Sequence, residues 1–308
     1  MKKTAWLDAA DRVITAALRE DAPKGDITSQ SLLPPGLLAR AVLMAKQDGV
    51  LAGLEVAARV FRRVDPRVSF NRLLKDGDRF RPGDILAEVE GKAAGLLLAE
   101  RTALNFLQRL SGIATVTRRY ADVLAGTKTR LLDTRKTTPG LRVLEKQAVA
   151  AGGGVNHRMG LSDMVLIKDN HLLLVPGIAD AVARARRKVG RGMKIEVEVT
   201  SFAQAREAVE AGADRIMLDN VSIAAMRKIT AWVAGRVPIE VSGNVDLKRL
   251  PAIAALGVAF VSIGRLTHSA AAADISLELI GPLGRDEPRV PLDGLERRLR
   301  EKVDHGRG

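Results

Sequence analysis

Through the second half of this sequence, short apolar runs end on cations, carboxylates or glycine turns. Arg130-Leu131-Leu132 leads into Asp133-Thr134-Arg135-Lys136-Thr137-Thr138-Pro139-Gly140, and Met164-Val165-Leu166-Ile167 into Lys168-Asp169-Asn170-His171. The runs at 194–197, 215–218, 238–241 and 259–263 end on Glu198, Asp219-Asn220, Ser242-Gly243-Asn244 and Gly264. These residue types share a chemistry. Arginine grips phosphate or carboxylate oxygens in pairs, and lysine acts as a point charge. Carboxylates hold Mg²⁺ with its waters or accept bonds from sugar hydroxyls. Glycine turns let backbone N–H groups close on a phosphate. Brought together, they suit a metal-bridged, multiply phosphorylated substrate.

Taken singly, each residue has a plainer role. An Asp at a strand end commonly caps the following helix, which is the plain reading of Asp219. Glu196 and Glu198 alternate with valines and so share a strand face, where one of them needs only a lysine partner. His171 and His268 read equally well as core or capping histidines. Gly152-Gly153-Gly154-Val155-Asn156-His157-Arg158 is a cationic loop free to approach a ligand or another backbone, or else a flexible surface loop. The basic clusters at 184–188 and 297–302 follow helical periodicity and read as solvated faces.

The elements that must position these residues alternate. From about Thr129 to Ser269, short aliphatic runs and amphipathic helical patterns follow one another as successive βα units, whose functional residues gather at the carboxyl ends of the strands. Glu198, Asp219, Ser242 and Gly264 recur at nearly even intervals. The stretches between them do not repeat, which points to barrel units rather than a solenoid. Residues 246–256 read as one of the intervening helices, opened by Asp246 and closed by Gly257. Residues 1 to about 113 differ: helices around 7–20 and 54–64, short strands around 41–46, 68–74 and 85–89, and Gly-Asp turns at Gly77-Asp78 and Gly83-Asp84. A long helix over about 93–111 leads out of this α+β region. The expected division is 1–113 and 114–270. Residues 271–308 either return to the first domain or extend as a polar tail with a charged helix at 295–303.

Composition narrows the partners. The chain has 308 residues, 46% of them apolar, enough for one large or two ordinary domains with a real core. It has no apolar run of about 18 residues and no signal-peptide pattern, so a cytoplasmic location is expected and no membrane partner. Without cysteine, disulfides, thiolate metal sites and a cysteine nucleophile are excluded. Lys and Arg outnumber Asp and Glu by 49 to 36, a net +13, and that sign attracts anions. With 3% aromatic residues there is little to stack on bases, so small phosphorylated substrates are favoured over nucleic acid.

The run from Asp133 to Arg142, with Glu145-Lys146, Gly152-Gly153-Gly154, Asn156-His157-Arg158, Gly160-Leu161-Ser162-Asp163 and Ile167-Lys168-Asp169-Asn170-His171, closely resembles the quinolinate phosphoribosyltransferase family. The likeness takes in Glu20-Asp21, Gly25-Asp26-Ile27-Thr28, Glu100-Arg101-Thr102-Ala103-Leu104-Asn105, Leu218-Asp219-Asn220, Ser242-Gly243-Asn244 and Leu266-Thr267-His268-Ser269. It covers nearly everything from about residue 15 to 278.

The resemblance implies an α/β fold of the type II phosphoribosyltransferase kind. This would be an N-terminal α+β open sandwich and an incomplete (β/α) barrel of six or seven strands. It also implies a homodimer, or a higher assembly, in which each barrel mouth faces the other subunit's N-terminal domain. By resemblance, Arg135, His157, Arg158 and Lys168 line a quinolinate pocket that Arg101 reaches from the neighbouring subunit. Lys136, Glu198 and Asp219 would be catalytic. With Thr134, Ser242, Gly243, Asn244, Ile263, Gly264, Arg265 and His268 they would hold phosphoribosyl pyrophosphate, while Glu198 and Asp219 take Mg²⁺ directly or through water. The implied reaction yields nicotinate mononucleotide, pyrophosphate and carbon dioxide. Arg265 stands where the family pattern has a small residue. The rival within the enzyme class is the molybdenum-locus relative, whose cationic pocket motif differs. The intact Thr134-Arg135-Lys136 and Asn156-His157-Arg158 favour quinolinate. The rival of another class is a basic nucleic-acid-binding protein on a barrel without catalysis.

Overall fold

The computed structural model describes residues 3–283, so the charged helix expected at 295–303 lies outside the described residues. In chain order the strands are β1 (Leu38–Ala45), β2 (Gly49–Val50), β3 (Ser69–Arg72), β4 (Arg79–Phe80), β5 (Ile85–Lys92), β6 (Arg130–Leu132), β7 (Val165–Ile167), β8 (Ile195–Val199), β9 (Arg215–Asp219), β10 (Ile239–Ser242), β11 (Phe260–Ser262) and β12 (Ile275–Pro282). Among the described residues they belong to two compact units, neither contiguous in sequence: 3–116 with 138–152 and 270–283, and 117–137 with 153–269. The helix Arg142–Ala151, which a single boundary near 113 would put with the barrel, groups with the first unit.

In the first unit β12, β1, β5 and β3 form an antiparallel sheet in that order. All but the first residue of β1 is buried, and Leu43 sits between Ala87 on one neighbour and Leu277 on the other. The sequence past Leu279 reads as a polar tail, yet Ile275–Pro282 is a strand. Its glycine and proline hid a run whose place is decided by pairing along β1. The long helix is also longer than its pattern suggests, running from Ala93 to Val123. Ser111-Gly112 reads as a stop, but both residues serve packing. The Ser111 hydroxyl accepts from Ala52 N–H at 3.1 Å. A side chain at Gly112 would overlap the carbonyl oxygen of Ala271.

In the second unit six parallel strands take the order β6, β11, β10, β9, β8, β7. That is an incomplete barrel with six strands of the six or seven expected. Between β6 and β7 there is no ladder among the described residues, and a single bridge joins Leu132 to Val155. Val197, Ile216, Leu218, Val241 and Val261 are buried, as strands covered on both faces require. Serine caps start two of the helices: Ser201 accepts from Gln204 N–H and Ser222 from Ala225 N–H. The helix expected over 246–256 shrinks to Leu250–Ala254. Asp246 accepts from Lys248 and Arg249 N–H at 3.0 and 2.8 Å. It therefore caps a turn, and the helix begins only beside Pro251. Among the described residues no helix is long and apolar enough to cross a membrane.

Candidate active site

The carboxyl ends of the six parallel strands meet around a cavity of about 860 Å³. β6 contributes Asp133, Thr134, Arg135 and Lys136; the loop after Val155 contributes His157 and Arg158; β7 contributes Lys168. Glu198, Asp219, Ser242, Gly243 and Asn244 follow from β8, β9 and β10, and Ile263, Gly264, Arg265 and His268 from β11. Every site residue expected in the barrel is therefore in one cavity. Arg101 is not among its lining residues: it is exposed on the helix Ala93–Val123 of the first unit.

The approach of β6 to β11 is built closely. Lys136 O accepts from Thr267 Oγ1 at 2.7 Å, and a side chain at Gly264 would lie 2.9 Å from Lys136 Cδ. Thr134 Oγ1 accepts from Lys136 N–H at 3.0 Å. The Lys136 side chain is thus fed between two strand ends while remaining exposed.

Two guanidinium groups set the potential of the mouth. Burial lowers the proton affinity of Arg158, and the charge of Arg135 lowers it further. Two cations pressed together in a partly desolvated place are relieved by an anion, above all one with two negative groups. Arg158 is tethered by Nη1–H to Met164 O at 3.0 Å, and its loop is held by Asp163, which accepts from Met159 and Gly160 N–H.

Beneath the mouth lies a buried charged floor. Asp133 is fully buried and accepts from Asn156 Nδ2 at 2.7 Å and from His157 N–H at 2.8 Å. His157 Nε2 lies 3.2 Å from Glu196 Oε2 and 3.3 Å from Glu240 Oε2. Arg215 bridges the pair, 3.0 Å from Glu240 and 3.8 Å from Glu196, with its guanidinium 4.2 Å from the Phe260 ring centroid. Burial works against a proton on His157, but the two carboxylates outweigh it and raise its pKa to about 9. The N–H of Arg158, 2.7 Å from Nδ1, opposes a second proton. One amide dipole weighs less than two carboxylate charges at this range, so the upward direction stands. Burial pushes the Glu196 carboxyl up; it acts on Glu240 as well, but there the contacts with His157, Ser262 and Arg215 together outweigh it and hold the carboxyl down.

Two sets of residues could be weighed as metal ligands. His157, Glu196 and Glu240 offer atoms within 4.8 Å of one another, but the two carboxylates favour a proton on Nε2, which leaves it no lone pair for a metal. Arg215 adds a competing cation. Glu198 and Asp219 are different. Glu198 Oε2 accepts from Lys168 Nζ at 2.7 Å, and Asp219 Oδ2 from Asn220 Nδ2 at 2.8 Å. Among the described residues no other side-chain bond reaches either carboxylate. Two part-bonded carboxylates lining this cavity fit Mg²⁺, which takes one or two protein oxygens and leaves the rest to substrate and water.

The plainer roles sort themselves. Asp219 does not cap the next helix, since Ser222 does. His171 does cap, accepting from Lys168 N–H at 2.9 Å. Glu198 has the lysine partner expected of one member of its pair, while Glu196 belongs to the floor. Asp133, Glu196, Arg215 and Glu240 were not singled out for the site by sequence. For Glu196 and Glu240 a signal existed, because a charged residue inside a short apolar strand demands a buried partner.

The C-terminal domain of quinolinate phosphoribosyl transferase matches residues 113–278 and the N-terminal domain residues 26–111. A probable nicotinate-nucleotide pyrophosphorylase (carboxylating) of Bacillus subtilis is 44% identical over 84% of this chain and 90% of its own length. A quinolinate phosphoribosyltransferase (decarboxylating) of Nicotiana tabacum is 40% identical over 87% of this chain and 81% of its own. The crystal structure of NadC from Streptococcus pyogenes superposes with a TM-score of 0.86 at 44% identity, covering 89% of this chain and 97% of that one. Two-domain coverage, sequence identity and fold agree, and the chain belongs to the quinolinate phosphoribosyltransferase family.

Proposed function

We propose that this chain transfers the phosphoribosyl group of phosphoribosyl pyrophosphate to quinolinate with loss of carbon dioxide, giving nicotinate mononucleotide and pyrophosphate. The observation that carries the reading is the mouth itself. It gathers Arg135 and Arg158, whose like charges lower the proton affinity of Arg158, with Lys136, two carboxylates and the turns at Ser242–Asn244 and Ile263–Arg265 in one cavity.

Arg135, Arg158 and Lys168 hold the two adjacent carboxylates of the pyridine ring and aim its nitrogen at ribose C1. His157 serves from below through its charge, because both its ring nitrogens face protein atoms. Thr134, Lys136, Ser242, Gly243, Asn244, Ile263, Gly264, Arg265 and His268 take the phosphates and ribose of the second substrate. Glu198 and Asp219 flank the sugar and hold Mg²⁺, which when bound neutralises the departing pyrophosphate. As the C1–O bond breaks, Lys136 stabilises the leaving oxygens and the carboxylates stabilise positive charge on the ribosyl group. The new C1–N bond makes the ring nitrogen cationic. The bond from ring carbon 2 to its carboxylate then breaks, its electron pair stays on that carbon beside the cationic nitrogen, and a proton replaces the lost carbon dioxide.

The active form is a homodimer in which Arg101 of a second copy reaches the quinolinate subsite. Support comes from the exposure of Arg101 on its own chain. Large aliphatic residues also lie in the open: Leu161, Leu173 and Leu174 in the barrel unit, and Ile27 and Leu32 in the first unit, all at least 72% exposed.

The deciding assay supplies quinolinate, phosphoribosyl pyrophosphate and Mg²⁺ and follows carbon dioxide and nicotinate mononucleotide together, with nicotinate as comparison substrate. Equal release of both products from quinolinate alone is expected. A folded protein that releases neither refutes the reading.

A further inference from the structure

Asn220 has no role in the scheme above, yet it is the most constrained residue at the rim. It has φ of 54°, and across the gap Asn244 has φ of 49°. Asparagine enters this left-handed region more readily than other residues with a Cβ, and here both side chains are tied into one hydrogen-bonded turn pair.

The holding bonds form a directed chain. Arg249 Nη1–H donates to Asn244 O at 2.8 Å. Asn244 Nδ2–H donates to Asn220 Oδ1 at 3.0 Å, and Asn220 Nδ2–H donates to Asp219 Oδ2 at 2.8 Å. The backbone adds Asn220 N–H to Ser242 O at 3.1 Å. An amide has one accepting and one donating end. Because Asn244 gives its N–H to the accepting end of Asn220, the donating end can only face Asp219. Gly243, with φ of 83°, completes the clasp: a Cβ there would overlap the Asn220 amide.

We propose that Asn220 is a positioning residue of the phosphoribosyl subsite, clasping the turns after β9 and β10 so that Asp219 presents its second oxygen to the sugar diphosphate and its metal. This rests on the reading that Asp219 serves that substrate. Asn244 acts one bond further back. Nothing in the clasp touches the quinolinate cations, so its effect is confined to one substrate.

The test is Asn220→Gly, which keeps the left-handed backbone free of strain while deleting the amide, with Asn244→Gly beside it. Removing a hydrogen bond to a charged group predicts a rise of about tenfold in KM for phosphoribosyl pyrophosphate and a parallel rise in the Mg²⁺ concentration for half-activation. Asn244→Gly should raise both as well, through the clasp and through its own place in the subsite. Quinolinate affinity, read by calorimetry, should stay within about twofold for both variants. Unchanged KM and Mg²⁺ dependence in Asn220→Gly would overturn the proposal, as would an equal loss for both substrates. If Asn220→Gly does not fold, Asn220→Asp, which keeps the accepting oxygen but has no N–H to give Asp219, decides by the same readouts. Asp219→Asn is measured alongside. If it leaves KM for phosphoribosyl pyrophosphate unaltered, the reading of Asp219 fails; if it raises KM while Asn220→Gly does not, the clasp alone fails.

Discussion

Glu196 and Glu198 stand two residues apart on β8 and live in opposite worlds. Glu196 is fully buried between His157 and Arg215, whereas Glu198 lines the cavity and shares a bond with a half-exposed lysine. The same side chain is a member of a closed, nearly neutral cluster in the floor and an accessible carboxylate at the mouth. Charges in the floor have given up water for one another, so removing any one strands its partners. Charges at the mouth keep solvent or substrate as alternatives and are spared for chemistry.

Substitutions at the two levels should therefore separate activity from stability. At the mouth, Lys136→Ala or Arg158→Ala should lower kcat/KM by about a thousandfold or more, the scale of losing a charge that meets the transition state. Thermal unfolding should move little, since neither residue lies in an apolar run. Near-normal turnover at saturating substrate in either variant would break the assignment of the mouth. In the floor, Glu240→Ala should cost about 3–5 kcal/mol of stability, because Arg215 and His157 lose a partner in a dry place. Denaturant titration measures this, and a loss below about 1 kcal/mol, the value of an exposed pair, would erase the distinction.

A subtler difference lies in pH. His157 has its pKa raised from 6.5 to about 9. A group whose folded value is raised contributes its full stability below the unfolded value and loses it as pH climbs through the folded one. The melting temperature should thus fall between pH 6.5 and about 9, and replacing both Glu196 and Glu240 with Gln should flatten that fall. A wild-type profile level across this window would show that the ring stays neutral and that the N–H on Nδ1 prevails.

The mouth was legible in the sequence because parallel strands deliver their terminal residues to one place, so a polar residue after each apolar run is a map of the rim. Lys136, Lys168, Glu198 and Asp219 could all be read that way. The floor was not, because its residues are scattered through the interiors of β8, β9 and β10, and only the register that sets Glu196 beside Arg215 and Glu240 beside Met217 brings them near one another. The first unit hid its features for a similar reason. Ser111-Gly112 looks like a helix stop until the Ala271 carbonyl is seen packed against it, and Ile275–Pro282 looks like tail until it pairs with β1. Local pattern reports local structure; long-range pairing overrides it silently.

That late strand has a consequence for how the chain is made. β1 leaves the ribosome early, with an almost wholly apolar sequence from Leu38 to Ala45, but its neighbour β12 is synthesised only after the entire barrel. Throughout that interval one side of β1 offers bare N–H and C=O groups to any other extended chain. A product released before residue 275 would carry that sticky edge permanently, so the final strand of the sheet doubles as a seal that distinguishes finished molecules from truncated ones.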